Sequence, residues 1–164
     1  MGSLLSPFQS LVAEIAEPTR SIGIRINLIR NGFSFLLSTW GFGVGAGNFE
    51  SWMQTRALYP TRNIINPHNW YLEVLVNYGI LIFVGYLVFY WSMLKKTYQV
   101  LRTHWNDPKM RLIGVAVLGS LIGFLLASMS PSYVIAFRPQ WLIIALGLSY
   151  INIGVDNSDQ HIEE

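Results

Sequence analysis

The sequence contains no cysteine, which excludes disulfide frameworks and thiolate metal sites outright. Histidine is scarce as well. His68, His104 and His161 are scattered without the spacing of a ligand pair, and no metal or other cofactor is expected. Charge is low at 12% of residues, against about 25% in an ordinary soluble domain. No Lys or Arg precedes Arg20, and the early apolar stretch is interrupted by Ser6, Pro7, Gln9 and Ser10, so the start lacks the charged and apolar regions of a signal peptide. It reads instead as the C-terminal part of a longer polypeptide. A pI near 9.0 raises nucleic acid as a partner. The basic residues are not massed on one polar face, however, and nucleic acid is not expected.

What is abundant is apolar and aromatic. Hydrophobic residues make up 52% of the 164, with six Trp and eight Tyr. Amphipathic rings gather where a chain crosses the headgroup layer, so this composition points to lipid as the solvent. Residues 4–16 have near-helical apolar spacing that stops at Pro18, too short to span a bilayer and suited to an interfacial helix or the end of a span. From Ile22 to Leu37 the residues Ile22, Ile26, Ile29, Phe33, Leu36 and Leu37 form one apolar face. Arg25 and Arg30 interrupt it, and being five apart they point about 140° from each other.

Trp40 to Asn48, WGFGVGAGN, carries four alternating glycines, a turn whose backbone can approach a ligand closely. No strand-helix-strand pattern surrounds it, so it is not the dinucleotide fingerprint. Asn48 is an expected N-cap for a short helix running to about Tyr59. Asn66-Pro67 is a second start signal, with Asn66 as cap and Pro67 at the first helical position. Membrane spans are expected at about 72–94, 112–129 and 141–155. Gly119 and Gly123 in the second form a GxxxG suited to close helix packing. Residues 134–137 are read as dipping into the interface and the acidic tail 156–164 as disordered.

The segment between the first two spans holds Lys95, Lys96, Arg102, Lys109 and Arg111 against Asp107 alone. The positive-inside rule puts it in the cytoplasm and residues 1–70 outside. Arg20, Arg25, Arg30, Arg56 and Arg62 then lie on the disfavoured side, as expected of anion ligands. Guanidinium groups hold phosphate oxygens in bidentate fashion, although contact with lipid headgroups or a helix C-terminus would use any one of them equally well.

The densest constellation is NPHNWYLE at 66–73. With His68 at the second helical position, the positive end of the helix dipole would keep the imidazole neutral and able to act as a general base. A hydrogen-bonded interfacial histidine is the other reading. Asn69 and Glu73, four apart, could meet each other or one sugar hydroxyl, or serve as caps and bridges.

SIGIRINLIRNG at 21–32, GFGVGAGNFE at 41–50 and PHNWYLEVLVNYGI at 67–80 resemble the C-terminal half of the O-antigen ligase and polymerase superfamily, most closely the teichuronic acid biosynthesis membrane proteins. The resemblance covers about residues 20–153. It implies a helical bundle with one large outer loop and a metal-independent inverting transfer, in which outer arginines hold the carrier pyrophosphate and a histidine activates the acceptor. Carried over by motif, Arg25 takes the place of the arginine ahead of the glycine block and His68 that of the loop histidine. Arg56 and Arg62 compete for the second loop arginine, with Arg30 and Arg138 behind them.

The expectation is therefore an all-α polytopic membrane protein of the plasma membrane, with residues 1–70 facing outward, a membrane region over 71–155 and a short cytoplasmic tail. It would transfer a glycan from undecaprenyl pyrophosphate to an acceptor hydroxyl in cell-surface polysaccharide synthesis. His68 and Arg25 would be catalytic. Arg30, Arg56, Arg62, Asn69, Glu73, Gly43, Gly45 and Arg138 would bind substrate. Expected partners are the lipid-linked glycan, membrane lipid, and a missing N-terminal membrane half or another chain. A non-enzymatic subunit or inactive fragment and a transporter of lipid-linked sugars stay as alternatives. Transporters usually place charge mid-span, and here only Glu73, at the outer end, carries any.

Overall fold

The computed structural model describes residues 21–129 and 138–160, the side chains of the last helix up to Gly154. Among the described residues every regular element is a helix: α1 (Ser21–Ser38), α2 (Phe49–Arg56), α3 (Trp70–Thr103), α4 (Pro108–Ala127) and α5 (Arg138–Gln160). Two compact units are present, the first ending at Phe83 and the second beginning at Val84, so the boundary falls inside α3. The readings made for residues 4–16 and 134–137 lie outside the described residues.

The first unit is built on the buried stripe of α1. Ile24, Leu28 and Phe35 pack inward and with Val44, Phe49, Met53, Leu72 and Val76 form its apolar core, so the buried face is not the one expected, of which Ile29, Phe33 and Leu37 are exposed. Each such side chain removed from water contributes about 1.5–3 kcal/mol. Gly32 lets the α1 backbone approach the first turns of α3: a Cβ there would lie 3.0 Å from Leu72 Cδ1 and 3.1 Å from Val76 Cγ2. Helix α1 ends in paired bonds, from Gly41 N–H to Leu36 O (2.9 Å) and from Trp40 N–H to Leu37 O (3.1 Å), with Trp40 left-handed at φ 54°. This is the pattern of a Schellman cap, at whose left-handed position glycine is usual.

Helix α3 is broken at Gly79, where φ is 84° and ψ 174°. The backbone groups released there are taken up by the glycine loop. Val44 N–H donates to Val76 O (2.8 Å), Gly45 N–H donates to Asn77 O (3.0 Å), and Ile80 N–H donates to Gly41 O (2.9 Å). In an apolar setting an unpaired backbone group is costly, so the break persists because the loop satisfies it.

The two helices long and apolar enough to cross a membrane, among the described residues, are α3 and α4. In both, large apolar side chains face outward from the protein, among them Leu81, Val88, Trp91, Leu112 and Leu126. A helix apolar all round suits lipid. The third expected span falls on α5, which begins at Arg138 and runs to Gln160, so residues 156–160 of the tail read as disordered are helical; residues 161–164 lie outside the described part.

In the second unit Tyr90, Met93, Val117, Leu121, Phe124, Ile144 and Tyr150 share a core. Two buried hydroxyls there have main-chain acceptors: Tyr90 OH donates to Leu121 O (2.8 Å) and Tyr150 OH to Met110 O (3.1 Å). The basic segment is shorter than expected. Helix α3 runs on through Lys95, Lys96 and Arg102, and α4 begins at Pro108, capped by Asp107, whose Oδ1 accepts from Lys109 N–H (2.8 Å) and Met110 N–H (3.3 Å). Close packing was expected at Gly119 and Gly123, yet a Cβ at either meets nothing within 4 Å. The tight glycines are Gly114, against the Tyr150 hydroxyl, and Gly154, against Val100.

Candidate functional site

All the candidate residues except Arg138 belong to the first unit: Arg25 and Arg30 on α1, Gly43 and Gly45 in the loop after it, Arg56 on α2, Arg62, His68 and Asn69 on the strap between α2 and α3, residues 57–69, and Glu73 in the first turn of α3. Arg138 is the first residue of α5, in the second unit, and is exposed.

The strap is held from two sides. From α1, the fully buried Asn31 accepts at Oδ1 from Leu58 N–H and Tyr59 N–H, both at 2.9 Å, and donates from Nδ2 to Tyr59 O at 2.9 Å. One turn earlier, Asn27 Nδ2 donates to Pro60 O at 2.8 Å. An unstructured segment has no helix or sheet partners for its amides, and here two asparagine side chains supply them. From α2, Glu50 Oε1 accepts from Asn66 Nδ2 at 2.9 Å, and Asn66 Oδ1 accepts from His68 N–H at 2.9 Å.

Asn31→Ala would strip three bonds from residues 58 and 59. Losing a buried partner costs about 1–3 kcal/mol, and because Leu58 and Tyr59 are exposed enough to rehydrate, that range is expected for the whole change. Trypsin cleavage after Arg56 and Arg62 should accelerate in this variant. Unchanged cleavage would mean that the strap is held by something else.

The Asn66 bonds correct the expected helix start. Asn66 closes a local turn and binds α2, while Asn69 is the cap, its Oδ1 accepting from Leu72 N–H (3.0 Å) and its carbonyl from Glu73 N–H (3.0 Å). His68 is therefore not at the second helical position. It lies in the strap with φ 42°, exposed, and the argument from the helix dipole does not apply to it. Of the readings open for Asn69, capping is the one its side chain takes. Glu73 is a half-buried carboxylate in the first turn of α3, a favourable place beside the helix dipole.

The arginines divide by environment. Arg25 and Arg30 are both exposed on α1. Arg30 Cζ lies 5.7 Å from the Tyr59 ring centroid, which joins α1 to the strap a second way. Arg56, in the last turn of α2, stacks on Trp52 at 4.1 Å, and Trp52 in turn meets Phe35 edge-on at 5.5 Å. That placement also complements the helix dipole. Arg62 is exposed at φ 51° and lines a pocket of about 810 Å³ together with Met53, Gln54, Ala57, Leu58, Tyr59, Pro60, Thr61, Asn63 and Ile65. Arg30 and Arg62 thus both border Tyr59, whereas His68 is reached only further along the strap.

Gly43 and Gly45 lie against the α3 break. A Cβ on Gly43 would stand 2.6 Å from Gly79 N, 2.8 Å from Asn77 O and 2.9 Å from Val76 O. The close backbone approach anticipated for a ligand is made here to the protein's own main chain. Asn48 precedes α2 as expected, but its side chain donates back to Val44 O (3.0 Å) and the helix ends at Arg56, short of Tyr59. The first amide of α2, Phe49 N–H, is instead satisfied by Asn77 Oδ1 at 3.0 Å.

The residues that the sequence reading missed are Asn27, Asn31, Glu50 and Asn66 as organisers of the strap, and Asn77 as the tie between α2 and α3. A signal existed for the first two. They lie four apart on the face of Ile24, Leu28 and Phe35, where amides among apolar neighbours need partners.

Among the described residues every regular element is helical and two helices have the length and apolarity of membrane spans, which defines the class: a helical integral membrane protein. The chain belongs to the O-antigen ligase family, whose profile matches residues 2–87 and so includes every candidate residue except Arg138. It is 34% identical over 129 residues to the teichuronic acid biosynthesis protein TuaE of Bacillus subtilis (strain 168), an alignment that covers 79% of this chain and 26% of that relative. The chain spans about a quarter of the length of this curated relative. No solved structure matches it.

Proposed function

We propose that the chain supplies the outward-facing reactive part of a glycosyltransferase in cell-surface polysaccharide synthesis, moving a glycan from undecaprenyl pyrophosphate to an acceptor hydroxyl at the plasma membrane. The acceptor oxygen bonds to the anomeric carbon as the bond from that carbon to the pyrophosphate oxygen breaks. His68 takes the hydroxyl proton. Arg25 and a second arginine, Arg56 or Arg62, hold the two phosphates as their charge grows, an electrostatic role that fixed guanidinium groups suit. The phosphoanhydride-bearing leaving group supplies the driving force, so the reaction needs no cofactor from this chain.

The observation that carries the reading is the strap. A segment pinned by Asn27, Asn31 and Glu50 displays Arg62 and His68, both with left-handed backbone, and non-glycine residues keep that conformation only where their surroundings enforce it. Family membership and the relative's printed role in teichuronic acid biosynthesis support a lipid-linked saccharide as substrate. In this reading the apolar stretches 72–94 of α3 and 112–127 of α4 cross the bilayer, Lys95, Lys96, Arg102, Lys109 and Arg111 face the cytoplasm, and the strap faces outward.

The test is an assay in membranes from cells that express the chain in its native context, with an undecaprenyl pyrophosphate-linked oligosaccharide and a polysaccharide acceptor. Acceptor-dependent release of undecaprenyl pyrophosphate that persists in EDTA is the expected result. If release stops in EDTA and returns with a divalent cation, the metal-independent mechanism is wrong. No difference from membranes lacking the chain would remove the transferase assignment. A non-enzymatic subunit is the competing reading, favoured by the open faces of Gly119 and Gly123, and it requires that the surface glycan survive His68→Ala.

A further inference from the structure

Among the described residues, the most exposed large apolar side chains gather at one place. Trp40 is 91% exposed, Phe42 81%, Leu81 80% and Leu37 78%, ahead of every other large apolar residue described. They sit where the glycine loop is bonded to α3, and Ile80 beside them is itself half exposed. No charged side chain and no histidine occurs between Arg30 and Glu50. A contiguous apolar surface of this kind is uncommon against water and marks a place that something apolar covers.

The main-chain bonds fix how deep this surface lies. Val44 and Gly45 donate to Val76 O and Asn77 O, and Gly41 O accepts from Ile80 N–H. Those partners follow the start of the apolar stretch at Leu72 by about four to eight residues, roughly 6–12 Å along the axis at 1.5 Å per residue. Half of a hydrocarbon layer is about 15 Å thick. A loop tied to a crossing helix at that level lies within the layer as well.

Irregular backbone is tolerated at such a depth only where its polar groups have partners. Here they do. Of the seven amides from Thr39 to Gly45, six donate to carbonyls of the protein. The hydroxyls of Ser38 and Thr39 turn back onto α1 and donate to Phe35 O at 2.7 and 3.1 Å, and Asn48 Nδ2 donates to Val44 O at 3.0 Å. Helix α1 thus descends to the loop, and α2, whose first amide is held by Asn77, returns toward the strap, where Glu50 binds Asn66. Arg30, eleven residues before Gly41, stands about 16 Å back along α1, near the headgroups.

We infer that the end of α1 and the glycine loop form a re-entrant hairpin that enters the leaflet nearest the strap, where Leu37, Trp40 and Phe42 extend the exposed apolar side of α3 at Ile80 and Leu81 and pack against phospholipid acyl chains. Helices that pack on one another in a membrane present small residues, which let backbones approach. This tip presents two aromatic rings and a leucine, bulk that fluid chains accommodate. The inference needs the membrane position of α3 and no transfer chemistry, so it stands or falls apart from the transferase reading.

Because the sequence has no cysteine, single spin labels can be placed on the full chain in phospholipid vesicles. Leu37→Cys and Phe42→Cys are read against two references: Val88→Cys, 64% exposed on α3, for the acyl region, and Leu58→Cys, 71% exposed on the strap, for water. Oxygen concentrates in hydrocarbon and a polar nickel chelate is excluded from it, so the ratio of their collision rates at 37 and 42 should match that at 88 and exceed that at 58 by about threefold or more. A ratio equal to that at 58 would put the loop in water, and labels shielded from both reagents would mean that protein covers it; either result overturns the inference. Trp40 gives a check without a label. Its emission, taken as the difference between the parent and Trp40→Phe, should be quenched by phospholipid brominated on its acyl chains and spared by acrylamide in the water. The reverse pattern would overturn the inference even if the labelled variants failed to fold.

Discussion

His68→Ala is expected to lower glycan transfer by about 10²- to 10⁴-fold, the usual contribution of a positioned general base. Two features make the experiment clean. The bond that fixes the turn runs from the His68 main-chain N–H to Asn66 Oδ1, so it survives replacement of the side chain. The backbone there is left-handed at φ 42°, a conformation that asparagine tolerates better than histidine does. His68→Asn should therefore hold the strap at least as well as the parent, by melting temperature and by resistance to trypsin, while losing the base. A variant with near-parental transfer would show that the acceptor is activated elsewhere, or that the chain is not the reactive part.

The second large effect concerns the junction between the glycine loop and the broken helix. Gly43→Ala or Gly79→Ala should destabilise the first unit by about 2–5 kcal/mol. Left-handed alanine costs about 1–2 kcal/mol, and forcing an added methyl into filled space costs about 1–3 more. The neighbours cannot swing aside. A Cβ on Gly79 would lie 2.5 Å from Gly41 O and 2.6 Å from the Phe42 carbonyl carbon and oxygen, all main chain. Gly47 is the built-in comparison, with φ 72° but nothing within 4 Å of a Cβ, so Gly47→Ala should cost only the conformational part. Thermal unfolding in detergent, followed by loss of helical circular dichroism, measures both. Equal shifts for Gly43→Ala and Gly47→Ala would mean that the close approach carries no energetic weight.

Helix positions were largely legible in the sequence, because apolar spacing is a local property. The start of α2 behind Asn48 and the apolar lengths of α3 and α4 were found where the sequence put them, whereas of the apolar face expected on α1 only Leu36 is buried and the true stripe runs through Ile24, Leu28 and Phe35. What failed depended on partners remote in the chain. Asn66 looked like the cap of α3, yet Glu50, sixteen residues earlier, takes its amide and leaves capping to Asn69. The break at Gly79 has no proline to announce it, and a lone glycine in an apolar run is a weak signal. It exists because Gly41, Val44 and Gly45 bond to it from more than thirty residues away. In the candidate site, the type of residue could be read from the motifs, whereas the anchoring of the strap by Asn27 and Asn31 could be read only as amides without evident partners.

The three main-chain bonds between the glycine loop and α3 also bear on how such a chain can change over time. Amide and carbonyl groups are identical in every residue except proline, so at its non-glycine positions this seam imposes spacing rather than side-chain identity. Substitutions at Phe42, Val44 or Ile80 can alter what the neighbourhood recognises without unpicking it. Insertion or deletion of a single residue between Gly41 and Gly45 would put every one of the three contacts out of step. Diversification should accordingly proceed by swaps within this loop, and by changes of length in the strap beyond it.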